Sequence, residues 1–127
     1  MKLFPDDKIR IIFSAMDLNK KTFEFNDEFF QILIFEYQNK YPDLFSEFSF
    51  QSSGTFPYSE LLERIITRAK ISRSLKTVNP DFAMVQLNVP PLEKLKIKYR
   101  ELLKDTDFEI LAQIGKDAKD RVKISSY

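Results

Sequence analysis

Residues 74–89, "SLKTVNPDFAMVQLNV", break the helical spacing of apolar residues that governs most of this chain. Two short β-capable runs flank Asn79-Pro80-Asp81. Proline at the second position of a type I turn, with asparagine before it, supplies the backbone angle that reverses the chain. The stretch therefore predicts a β-hairpin over 74–89. A hairpin set among amphipathic helices restricts the chain to an α+β fold that is mostly helical.

The flanking segments follow the helical period. Pro5 with Asp6 or Asp7 starts a helix whose apolar face is Ile9, Ile12, Phe13 and Met16. Residues 17–21 predict a turn and Thr22–Phe25 a small strand, and Asn26 caps a helix over 27–40. That helix carries Phe29, Phe30, Leu33, Ile34 and Tyr37, a stripe wide enough for a central packing element. In 44–56, Phe48 and Phe50 alternate with polar residues before Ser52-Ser53-Gly54 turns the chain. A third helix spans 58–71, with Leu61, Leu62, Ile65, Ile66 and Ala69 inward. After Pro90-Pro91 two further helices are expected, over 92–104 and 107–120. Thr106 and Glu109 form a capping box for the second of them.

At 127 residues and 43% hydrophobic, the chain fits a single domain over 1–127. A domain this size buries roughly two-thirds of its unfolded surface and needs no disulfide or metal. Cysteine and histidine are both absent, which removes thiol chemistry, the commonest general base and the commonest metal ligand. Ser59 and Ser72 have no histidine to activate them, and two glycines cannot make a phosphate loop. No enzyme activity and no cofactor are expected. Residues 17–28 place Asp17, Asn19 and Glu28 on a calcium-loop template, but Lys21 and Thr22 occupy its fifth and sixth positions. Asp105, Asp107 and Glu109 are explained as acids at a helix N-terminus. No apolar run approaches a membrane span, and no signal core follows the N-terminus, so a cytoplasmic location is expected.

"FSFQSSGTFPYSELLERI" is similar to a stretch of small prokaryotic winged-helix proteins. There an aromatic strand leads to a glycine and then to a Pro-aromatic-Ser helix start. Phe48, Phe50, Gly54, Pro57, Tyr58 and Ser59 stand at those positions, with Thr55-Phe56 inserted where glycine and proline are usually adjacent. The resemblance covers about 6–89. It implies a winged-helix-like three-helix core with the 74–89 hairpin as its wing, extended by the helices of 92–120.

Charge is segregated along the chain. Residues 17–63 hold nine acids against three lysines, a net of −6, whereas 64–127 hold fourteen cations against eight acids, a net of +6. Arg64, Arg68, Lys70, Arg73 and Lys76 precede the first acid of the second half. With Thr67 they form the candidate nucleic-acid-binding set, on the helix and hairpin that a helix-turn-helix presents to double-stranded DNA. Two opposing readings are a solvated helix face and cations favoured by the helix C-terminus, and Glu60 and Glu63 sit where they would repel phosphate. DNA binding also requires that Arg64 and Arg68 are not taken up by Glu36 or Glu47. The alternative function is a non-enzymatic interaction subunit whose acidic aromatic half or terminal helices dock a protein partner. Added helices in winged-helix proteins imply a homodimer through 92–120.

Overall fold

The computed structural model describes residues 2–52 and 54–125; Ser53, in the expected 52–54 turn, lies outside them. The architecture is α+β and mostly helical. Five helices surround a small antiparallel sheet in the order α1 (Pro5–Met16), β1 (Thr22–Glu24), α2 (Asp27–Lys40), α3 (Glu60–Ile71), β2 (Leu75–Asn79), β3 (Met84–Leu87), α4 (Leu92–Tyr99) and α5 (Asp105–Arg121).

The start of α1 lies one residue ahead of its expected cap. Pro5 occupies the first helical turn, and the Asp7 carboxylate accepts the Phe4 backbone N–H at 2.8 Å. Asp17 ends the helix in the left-handed region, and Lys20 repeats that conformation in the following turn. Ile9, Ile12, Phe13 and Met16 are buried as their spacing predicts, but so are Ile11 and Ala15. The central packing element is therefore α1 and not α2. It lies between α5 on one side and α3 and α4 on others, so its second half has no face left for water. Gly115 of α5 makes the α1–α5 approach possible, because a Cβ there would collide with the Ala15 side chain and the Ile12 carbonyl.

Helix α2 begins where Asn26 accepts the Glu28 N–H at 2.8 Å. It buries Phe30, Leu33 and Ile34, with Phe29 and Tyr37 half-buried at the margin. Phe48 and Phe50 do not form a strand. Residues 42–47 are turns, held to α2 by Gln38, whose amide donates to the Phe45 carbonyl at 2.9 Å and the Phe48 carbonyl at 2.6 Å. Alternation here reflects aromatic anchors on an irregular segment and not a pleat.

Ser59 is the cap of α3, which starts two residues later than its spacing suggested. The three strands pair in the order β1-β3-β2, all antiparallel. In the hairpin, Asn79 accepts the Asp81 N–H at 3.2 Å, and Pro80–Phe82 make one turn of 3₁₀ helix. Ala83 then turns left-handed, and a bulge between Thr77 and Asn79 leaves Val78 exposed. After α4, which stops at Tyr99 and not at 104, the Tyr99 carbonyl accepts both the Leu102 and Leu103 N–H groups. This turn sinks Leu103 into the core and lets α5 start at Asp105. Thr106 lies inside α5 and does not cap it; Lys104 is the cap residue and offers no side-chain acceptor.

Candidate interaction surfaces

The amphipathic period of α3 turns Leu62, Ile65 and Ile66 into the core and leaves Glu63, Arg64, Thr67, Arg68 and Lys70 in solvent. Arg73 follows in the left-handed region, and Lys76 stands on β2 across from Gln86. All six residues of the candidate nucleic-acid set are exposed, on one helix and the strand that follows it. Their charge is not free. Arg68 makes a two-pronged contact with Asp6 of α1, Nε to Oδ2 at 2.8 Å and Nη2 to Oδ1 at 2.9 Å. This hydrogen bonding raises the guanidinium pKa still further. Lys70 lies 3.6 Å from Asp27 at the start of α2, and Arg64 lies 3.6 Å from Glu60 one turn below it. Neither arginine meets Glu36 or Glu47. Those acids are occupied by Arg121 at 3.1 Å and Lys8 at 2.9 Å. Among the described residues, Arg73 and Lys76 are the members of the set with no acid in ion-pair range.

Exposed ion pairs of this kind are weak, typically 0–1 kcal/mol, so they do not lock the side chains. What they do fix is the local field. The face that holds five cations also holds Asp6, Asp27, Glu60 and Glu63.

A second surface lies at the hairpin tip. The 3₁₀ turn projects Phe82 outward with 69% of its surface in water, although it is a large aromatic in a chain that buries most of its phenylalanines. Beyond α5 the chain turns back along the sheet. Glu24 N–H donates to the Lys123 carbonyl and Ser125 N–H to the Thr22 carbonyl, each at 2.8 Å, which sets Ile124 opposite Phe23. Between this returning segment and the hairpin tip runs an open groove of about 820 Å³. Phe82, Ala83, Met84 and Ile124 give it apolar walls, and Glu24, Asp81 and Lys123 rim it. Exposed apolar surface beside a concave groove marks a binding surface more often than a solvated face does. Sequence patterning did not single out these residues. One signal was available: Phe82 sits in the turn, where strand alternation gives it no inward position.

The terminal helices offer less than the sequence suggested. The apolar face of α5, with Phe108, Leu111, Ile114 and Ala118, is buried within the chain. Ile97 of α4 is the large apolar side chain of 92–120 left exposed among the described residues. Two tyrosines tie the helices together. Tyr99 donates to Asp7 at 2.6 Å and Tyr37 to Asp117 at 2.8 Å. Burial first, and then the hydrogen bond to a carboxylate, push each phenol up to about 12.

Among the described residues no three acidic side chains converge as a metal site, and no helix is long and apolar enough to cross a membrane. No family model, curated protein or solved structure matches the chain.

Proposed function

We propose that this chain is a non-enzymatic protein-interaction subunit of winged-helix-like architecture, docking its partner at the hairpin-tip groove. The observation that carries this is the largely exposed Phe82 beside the groove walled by Met84 and Ile124. The chain order α1-β1-α2-α3-β2-β3, with β1-β3-β2 pairing, supports the winged-helix reading of the core. On that reading α3 is the second helix of the helix-turn-helix and the hairpin is the wing. Fold alone does not choose between DNA and protein, because the same architecture serves both.

Charge favours a protein partner. A DNA-binding face gains affinity by releasing counterions from phosphates it neutralises. Phosphates could displace the weak pairs around α3, but Asp6, Asp27, Glu60 and Glu63 would remain on the same face and repel them. A protein surface tolerates this mixed rim around an apolar centre. DNA binding stays the second reading because Arg73 and Lys76 flank the junction of α3 and the hairpin without acidic partners.

The test compares three baits in extracts of the cells that make the protein: wild type, Phe82→Asp, and the Arg64→Glu/Arg68→Glu/Arg73→Glu triple variant. A partner held by wild type and the triple variant, and lost with Phe82→Asp, is the expected result. Equal capture by Phe82→Asp would overturn the assignment of the groove.

A further inference from the structure

We propose that the free edge of β2 takes up an extended acidic segment of a partner protein as an added strand. This surface is separate from the hairpin-tip groove and stands without it. The Asn88 N–H donates to the Ser74 carbonyl at 2.8 Å, so residues 74 and 88 form a hydrogen-bonded pair. Bonded and non-bonded pairs alternate along an antiparallel ladder. In the observed register Lys76 and Gln86 form the next bonded pair. Leu75 and Thr77 therefore turn their N–H and carbonyl groups away from β3. The β1 side gives the same alternation. The Phe25 N–H donates to the Ala83 carbonyl at 2.9 Å, which makes Phe23 and Val85 the bonded pair and turns Val85 from Thr77. Among the described residues no backbone group bonds the outward side of Leu75 or Thr77. Lys76, Thr77 and Val78 are all exposed. Outward donors and acceptors on alternate residues are a template for strand addition.

Charge around this edge selects the occupant. Among the described residues, Arg73 before the strand and Lys76 within it have no acid in ion-pair range. Lys76 shares a sheet face with Gln86, its cross-strand neighbour. An added strand sets a side chain beside Lys76 on that face, and an acid there gains a cross-strand charge pair. The next residue of the added strand points to the opposite face, beside Thr77. A groove of about 390 Å³ opens there, with Phe25, Pro80, Ala83 and Val85 as apolar walls. An apolar side chain fits it. The edge thus reads an extended segment in which acidic and apolar residues alternate. The same charge disfavours a second copy, because two such edges would bring both sets of Arg73 and Lys76 together. Lysine on an edge strand is a common guard against pairing with its own kind. DNA offers no row of peptide N–H and carbonyl groups to Leu75 and Thr77, so the open backbone favours a polypeptide.

Amide NMR of the isotope-labelled chain, titrated with the capped peptide Val-Glu-Val-Glu-Val, tests this. Two control peptides carry lysine in place of glutamate, or N-methyl groups on the three central backbone nitrogens. Thr77→Pro deletes the outward N–H at a position where an edge strand tolerates proline. Lys76→Glu reverses one exposed charge. Saturable shifts of the 75–78 amides are expected, lost in Thr77→Pro, weakened at least about fivefold by Lys76→Glu, and absent with both control peptides. If Thr77→Pro disturbs the fold, Lys76→Glu and the N-methylated peptide decide. No shift at millimolar peptide, or equal binding of the N-methylated peptide, overturns the inference. Shifts confined to Phe82, Met84 and Ile124 overturn it as well and leave the hairpin-tip groove as the docking surface. Shifts of 75–78 that grow with protein concentration alone give the edge to a second copy. Shifts there with duplex DNA and not with the peptide give it to nucleic acid. Either result overturns the acidic segment.

Discussion

Gln31 is the residue on which the geometry of α3 most depends. Its side chain is buried in α2 and meets the Ser59 backbone twice, accepting the N–H at 2.9 Å and donating to the carbonyl at 3.0 Å. Ser59 in turn caps α3 with its hydroxyl. Replacing Gln31 by Leu leaves the Ser59 N–H buried without a partner, while the Ser59 carbonyl keeps the Glu63 N–H at 3.1 Å, a loss of about 1–3 kcal/mol. Ser59→Ala removes only the cap and should lose about 1 kcal/mol. Urea denaturation of the two variants checks the order. Gly115→Ala is expected to destabilise by about 1–3 kcal/mol or more by the same measurement, because the added Cβ has no room against Ala15. Neither role was legible in sequence. Gln31 reads as a polar residue on a helix, and the Gly115 requirement arises from α1, a hundred residues earlier in the chain.

At the scale of elements, the hydrophobic period located helices and hairpin well because each buries one face against the same core. It failed where tertiary contacts override local pattern. Phe48 and Phe50 alternate like a strand, yet they follow the turns of 42–47 in an irregular segment whose Phe48 carbonyl is taken by Gln38. The 92–104 periodicity continues past Tyr99, but the Tyr99 hydroxyl is bound to Asp7 of α1, and its carbonyl closes the turn that starts α5. These ties predict a specific alkaline response. Both Tyr99 and Tyr37 titrate at about 12 in the fold against 10.0 for the unperturbed phenol. The fold favours the protonated phenol, so this stabilisation is complete below pH 10 and is lost as pH rises toward 12. Thermal melts should fall through that window in wild type. They should fall less in a Tyr37→Phe/Tyr99→Phe variant, even though it starts from a lower melting temperature. The Arg68–Asp6 contact between α3 and α1 is different in kind. With both groups partly exposed, Asp6→Ala should lose under about 1 kcal/mol despite the short distances.

At the scale of the whole molecule, the net charge of +1 conceals two halves of opposite sign, and folding brings the halves together. Sequence alone located the basic run of 64–76 but left open whether it is exposed or paired; its cations are exposed, and three of them have acidic partners. Glu60 and Glu63 were legible beside it, but Asp6 and Asp27 were not, because they reach α3 only through the packing of α1 and α2 around it. The hairpin-tip groove was hidden for the same reason. It is made by residues 24, 82–84 and 123–125, which meet only once the chain returns along β1. The claim that this chain is a protein-docking module and not a DNA-binding one rests on that balance of charge. Fluorescence anisotropy of labelled duplex DNA, titrated across a salt series, tests it most directly. Little binding even at low salt, unchanged by the Arg64→Glu/Arg68→Glu/Arg73→Glu variant, is the result expected here. A salt-dependent complex with a log–log slope of about −3 to −5, abolished in that variant with folding intact, would contradict it and assign the α3 face to DNA.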